Sequence, residues 1–150
     1  MSELLLLRHG TAEDHGSRPH DADRRLVARG EEEARAAGRA LVALDRVPDV
    51  VIASPKVRAR QTADLAATAW GGAVTEHLAV VGLDVDEALG LATLGPRVLI
   101  VGHEPDLSQV VHDLTGARTK MRKGGVAVLR VGGGGRLEAL LGPRELERVR

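Results

Sequence analysis

Three short apolar runs constrain this chain more than any other feature: LLLL at 4–7, VVIA at 50–53 and VLIV at 98–101. Each is too brief for a buried helix, and each ends in a polar turn. That pattern reads as a strand covered on both faces. Residues 3–8 form the first strand. Residues 48–54, entered by Pro48, form the second, and residues 96–103 form the third. Between them lie segments with helical spacing. Residues 30–44 place Ala34, Ala37, Leu41 and Leu44 on one face and crowd acids into the first turn, where the helix dipole favours them. Residues 55–70 read as a helix with Pro55 in its first turn. Residues 84–94 read as a helix with an acidic start. Residues 104–116 read as another, with Pro105 near its start and Gly116 past its end. A short strand is expected over 73–78 and a hairpin over 124–141, turning on four glycines at 132–135. Residues 11–29 lack apolar periodicity and read as a loop; residues 143–150 are a short charged helix or a frayed end.

Strands alternating with helices imply an α/β fold, a three-layer α/β/α sandwich with a mostly parallel central sheet. The 150 residues carry no internal repeat and no low-complexity linker, so a single domain over 1–150 is expected. Composition removes several function classes. Lys plus Arg and Asp plus Glu are both 21, which weighs against a nucleic-acid or membrane surface. There is no cysteine, hence no disulfide and no thiolate chemistry. With no Phe or Tyr, and Trp70 the sole aromatic, no stacking platform for bases is available. The opening residues lack the pattern of a secretory signal, and no apolar run has transmembrane length; a cytoplasmic protein is expected. No H-E-x-x-H and no recognisable carboxylate set point to a metal, and no phosphate loop with its lysine points to a nucleotide. Neither metal nor cofactor is expected.

In sheets of this kind ligands sit beyond the carboxyl ends of the strands. The first strand delivers Arg8-His9-Gly10, the second Ser54-Pro55 and then Arg58, the third Gly102-His103-Glu104-Pro105. Taken singly these are bland: a turn, a solvated helix arginine, a histidine opening a helix. Their convergence on one sheet edge is not. Arginine forks match phosphate oxygens, and helix N-termini add backbone donors. Two histidines then suit two roles, a nucleophile and a donor to a phosphoryl oxygen. A nucleophilic imidazole must be neutral, which nearby arginines favour. Its other nitrogen must be held by an acceptor such as a backbone carbonyl, and a following glycine lets the chain fold closely enough. His15, His20, His77 and His112 carry no motif. Lys120, Arg122 and Lys123 read either as a solvated loop or as a basic rim.

Taken together, LLLLRHGTAE, SPKVRARQTA and VLIVGHEPDLS resemble the three motifs of the histidine phosphatase superfamily, the phosphoglycerate mutase-like fold. DADRRLVARGEEEARAAGRAL resembles the D-x-x-R-P-L-T-x-x-G segment of its short SixA-like branch. The resemblance runs in order over about residues 4 to 115. It implies that His9 accepts the phosphoryl group, that Arg8 and Arg58 bind it, and that His103 completes the pocket and donates to it. Arg24 falls at an additional arginine that contacts phosphate. Arg25 replaces the usual proline. Val27 replaces a threonine that often caps the next helix, which should weaken that helix start. Larger members carry a glutamate that protonates the leaving oxygen. Here the corresponding region holds Glu76, Asp84, Asp86 and Glu87, with Asp84 the first choice for a general acid. The short branch lacks this acid, and an imidazole leaving group needs less help than an alkoxide. The expected activity is therefore a metal-independent phosphatase acting through phosphohistidine on His9, with protein phosphohistidine, as in a phosphorelay, as substrate. A small phosphate monoester as substrate, and a non-catalytic phosphate-binding module, are the alternatives.

Overall fold

The four leucines of the first run are all fully buried, and their alternation explains why. Successive strand residues point to opposite faces, so a strand apolar at every position needs cover on both. In the computed structural model, which describes residues 2–149, Leu4 and Leu6 join one core and Leu5 and Leu7 the other. Each buried leucine contributes about 2 kcal/mol of transfer free energy, an upper figure because denatured chains already bury some surface.

The elements follow in chain order: β1 (Ser2–Arg8), α1 (Ala28–Ala43), β2 (Val50–Ala53), α2 (Val57–Ala67), β3 (Thr75–Glu76), α3 (Val85–Ala92), β4 (Arg97–Gly102), α4 (Asp106–Thr115), β5 (Val126–Val131), β6 (Gly135–Leu141) and α5 (Pro143–Arg148). One sheet has the order β3-β2-β4-β1-β5-β6. β3, β2, β4 and β1 run parallel, while β5 pairs antiparallel with β1 and with β6. α1, α2 and α5 cover one face through Ala37, Ala40, Leu41, Ala59, Ala63, Ala66 and Leu146. α3 and α4 cover the other through Ala88, Leu91, Leu107, Val110 and Val111. This is the three-layer α/β/α sandwich with a mostly parallel sheet. No helix among the described residues is long and apolar enough to cross a membrane.

The differences from expectation lie at element ends. α1 begins at Ala28, two residues early, and Val27 stands at its N-cap without a side-chain hydrogen bond. Leu44 falls at the C-cap and is exposed rather than on the buried face. α2 begins at Val57, because Lys56 is extended at the N-cap; Pro55 precedes the helix instead of lying in its first turn. The strand expected over 73–78 shrinks to Thr75–Glu76, followed by a 3-10 turn at Leu78–Val80. The loop before α1 holds a 3-10 turn at Asp21–Asp23 and one isolated bridge, Ala12 to Leu26. Gly116 closes α4 at φ 78°, the left-handed stop that its sequence position implies.

One close approach ties α1 to the end of β1. A Cβ on Gly30 would lie 1.9 Å from the carbonyl oxygen of Thr11, and one on Gly10 would lie 2.5 Å from that of Gly30. Only glycine lets these two backbones meet. The packing fixes the segment that carries His9.

Candidate functional site

β1 and β4 are adjacent, parallel and in register, with Arg8 opposite Gly102. His9 and His103 are the next residue on each strand. The ladder continues one step further, because His9 N–H donates to the Gly102 carbonyl at 3.1 Å. The two imidazoles therefore face each other, with ring centroids 5.3 Å apart and planes tilted by 56°. Both residues are buried. Strand pairing alone brings together two residues that are far apart in the chain.

The tautomer of His9 is set by its neighbour. Nδ1 lies 2.7 Å from the carbonyl oxygen of Gly10. A carbonyl only accepts, so Nδ1 carries the proton and Nε2 keeps its lone pair. Burial pulls the His9 pKa down to about 3; the Gly10 carbonyl pulls the other way, and His103, Arg58 and Arg8 add to the depression. Near neutrality the ring is an uncharged base with a free Nε2. Burial, together with the charges of Arg58 and Lys56, likewise lowers His103 to about 4.

Gly10 is itself anchored. Its N–H donates to the Thr62 hydroxyl at 3.1 Å, and that hydroxyl donates to the Arg58 carbonyl at 2.7 Å. One buried side chain on α2 thus links the histidine loop to the turn that carries Arg58. Glu33 on α1, also buried, accepts from both the N–H and the hydroxyl of Thr11 at 2.8 Å. In the sequence it is simply one of the acids near the start of the helix. In the fold it fastens the other end of the same loop.

Four cationic groups converge here. Arg8 donates from one terminal nitrogen to the Met121 carbonyl at 2.9 Å. Arg58 donates to the Asp21 carbonyl at 3.0 Å and to its carboxylate at 3.1 Å. Arg24 is buried; its Nε donates to the Asp21 carboxylate at 2.8 Å and a terminal nitrogen to the Glu13 carbonyl at 2.6 Å. Asp21 thus fixes two guanidinium forks at once. Its hydrogen bond from Arg24, reinforced by Arg58, holds its carboxyl at about 2. Lys56 lies 3.8 Å from the same carboxylate. The Nε atoms of Arg8 and Arg58 and the Nδ1 of His103 are buried with no hydrogen-bond partner among the described residues. Buried donors are normally satisfied. These three belong to residues that line one cleft of about 320 Å³, together with His9, Arg24, Lys56, Glu13, Asp106 and Lys123. Neutral imidazoles among fixed guanidinium groups form a seat for a tetrahedral oxyanion.

The expected residues His9, His103, Arg8, Arg58 and Arg24 all line this cleft. Asp84 does not. It is the N-cap of α3, and its carboxylate accepts the Glu87 N–H at 2.8 Å. An Asp followed three residues later by Glu at a helix start is a capping pattern, which explains its place without any chemistry. The basic cluster divides: Lys123 borders the cleft, while Lys120 and Arg122 line a separate depression near β6. Among the described residues no group of three His, Asp or Glu side chains is arranged to hold a metal ion. Sequence reasoning sets Ser54 at the end of the second strand without a role, and it does not single out Asp21, Thr62 or Glu33. Asp21 and Thr62 lie inside the motif segments DADRR and RARQTA, and that is the available signal.

Residues 4–95 match the family model of the histidine phosphatase superfamily, branch 1. An uncharacterized protein of a Picosynechococcus strain is 32% identical over 144 residues, covering 87% of this chain and 86% of its own length. Among solved structures, a candidate phosphohistidine phosphatase SixA from Nakamurella multipartitia is 31% identical with a TM-score of 0.77, over 95% of this chain and 96% of that one. The protein histidine phosphatase SixA complexed with tungstate shares the fold at a TM-score of 0.84 and 22% identity, over 96% of this chain and 99% of that one. With the motifs in order, the sheet in this topology and two thirds of the chain or more aligned in each comparison of whole chains, the chain belongs to branch 1 of the histidine phosphatase superfamily.

Proposed function

We propose that this protein is a phosphohistidine phosphatase that works through a covalent intermediate on His9. The observation that carries the reading is the fixed tautomer of His9: a neutral ring whose Nε2 lone pair lies free beside His103 in a cleft of arginines. The Nε2 lone pair attacks phosphorus, and the bond from phosphorus to the leaving group breaks. Arg8, Arg58 and Arg24 balance charge on the non-bridging oxygens, and His103 donates to one of them. Water then attacks phosphorus, the bond to Nε2 breaks, and inorganic phosphate leaves with the ring restored. Splitting one transfer into two lowers each barrier.

Two features favour a phosphorylated imidazole as substrate. The first is the state of two of the four carboxylates that border the cleft, Glu13 and Glu104, the others being Asp14 and Asp106. Glu13 is held at about 2 by its hydrogen bonds from Arg18 and the Arg25 N–H, and so stays ionised. Glu104 spends its oxygens on Ser108 and on the Met121 N–H. A leaving imidazole takes up its proton readily, whereas an alkoxide demands an acid. The second is likeness to proteins described as SixA phosphohistidine phosphatases. The partner would be a phosphohistidine protein of the phosphorelay kind.

The test is a comparison of kcat/KM on a phosphohistidine-bearing carrier domain with that on a panel of sugar phosphates, nucleotides and phosphoserine. The expected result is a clear preference for the carrier, abolished in His9→Ala. A preference for small monoesters would replace the substrate class, and phosphate binding without turnover would make the protein a binding module.

A further inference from the structure

Ser54 has no role in the phosphoryl-transfer steps, yet it is fully buried and touches the second histidine. It comes directly after β2, and its N–H extends the parallel pairing by donating to the Val101 carbonyl at 3.0 Å. This register sets its side chain beside His103, with Oγ 2.8 Å from Nε2. The same oxygen accepts the Lys56 N–H at 3.2 Å. A hydroxyl has one proton to give and two lone pairs to receive with. With one lone pair engaged by Lys56, two arrangements with the ring remain. If Nε2–H donated to Oγ, the serine proton would be a buried donor without an acceptor, and Nδ1, which has no partner among the described residues, would be a buried acceptor without a donor. If the serine donates to Nε2, only Nδ1–H is left over. Each orphaned buried polar group is costly, so the second arrangement wins on count.

We infer that Ser54 is a positioning residue that locks His103 in the Nδ1–H tautomer, so that the neutral ring offers a hydrogen-bond donor to an oxyanion in the cleft. This rests on the phosphoryl-transfer reading of the site and names what makes its second histidine a donor. Burial and the neighbouring cations keep the ring uncharged. A neutral imidazole has one donor only, and without Ser54 nothing decides which nitrogen carries it.

The experiment is long-range proton–nitrogen NMR on protein labelled with ¹⁵N-histidine, His103 being assigned by its loss in His103→Gln. The same samples are titrated with inorganic phosphate. The wild-type protein should show His103 as the Nδ1–H tautomer. Ser54→Ala should show a mixture containing Nε2–H and bind phosphate more weakly by the inverse of its Nδ1–H fraction, about twofold for an even mixture and about fivefold if Nε2–H dominates four to one. An Nε2–H tautomer in the wild type would overturn the inference. So would a Ser54→Ala protein with unchanged tautomer and unchanged phosphate affinity. Neither readout needs turnover, so a locked tautomer in a protein that hydrolyses no phosphoryl substrate would sink the phosphatase reading and leave this one standing.

Discussion

Thr62 holds the nucleophile's loop through one hydroxyl, and Thr62→Val removes that hydroxyl at almost constant volume. The Gly10 N–H, which now donates to it at 3.1 Å, would be left buried without an acceptor. Leaving such a donor unpaired costs about 1–3 kcal/mol, and no cavity opens to add to it. The Arg58 carbonyl loses a second donor only, since its lone pairs also serve the helix. The functional cost has a different origin. Gly10 supplies the carbonyl that holds His9 Nδ1, so a loosened Gly10 lets the ring turn away from its attacking geometry. A misplaced reacting group costs about tenfold to a hundredfold in rate. Urea unfolding should report the stability loss, and kcat on an aryl phosphate the rate loss, with Thr62→Ser restoring most of both. A Thr62→Val protein within about 0.5 kcal/mol of wild type, with unchanged kcat, would refute the reasoning, since changes that size are typical of featureless surface sites.

Asp84→Ala should leave kcat unchanged while costing about 1 kcal/mol of stability, the usual loss of an N-cap; a large fall in kcat with normal stability would return Asp84 to the chemistry. Gly30→Ala drives a Cβ to 1.9 Å from a backbone oxygen, where no side-chain rotation gives relief; a loss of about 2 kcal/mol or more is expected in thermal or urea unfolding, with reduced activity because the His9 loop must shift. In an NMR titration His9 and His103 should stay neutral through the usual histidine range and begin to protonate only toward about 3 and about 4. The unfolded chain takes up these protons near pH 6.5, the folded one far lower. Their contribution to stability is thus complete above about 6.5 and declines as pH falls below it, so unfolding measurements should show stability dropping from pH 6.5 toward pH 4.

The sheet and its two cores were legible because a short run that is apolar at every position must be covered on both faces, and because helices of ordinary spacing separate such runs. The residues just past the strand ends were legible for the same reason: the parallel register that sets Arg8 opposite Gly102 makes His9 and His103 neighbours. Element ends were less so. Val27 and Lys56 cap helices without offering a side chain, and Pro55 precedes α2, because local propensity does not say where the chain leaves the sheet edge. The supporting residues were the hardest to read. Glu33 looks like an acid placed for the helix dipole, and it is buried because α1 packs glycine to glycine against the His9 loop and Gly124 closes over its side chain. Asp21 sits in a loop of charges whose partners, Arg24 and Arg58, lie 3 and 37 residues away. Asp84 misleads because the same carboxylate suits a helix cap and an acid catalyst, and one sequence does not distinguish them.

The most direct measurement is to mix the protein with a phosphoryl donor, quench within the turnover time, and locate the covalent phosphoryl group by peptide mass spectrometry under conditions that preserve phosphohistidine. One phosphoryl group is expected on His9, at Nε2, absent in His9→Ala and gone when the donor is exhausted. Turnover with no phosphorylated histidine, or a phosphoryl group on His103 or any other residue, would contradict a nucleophilic His9.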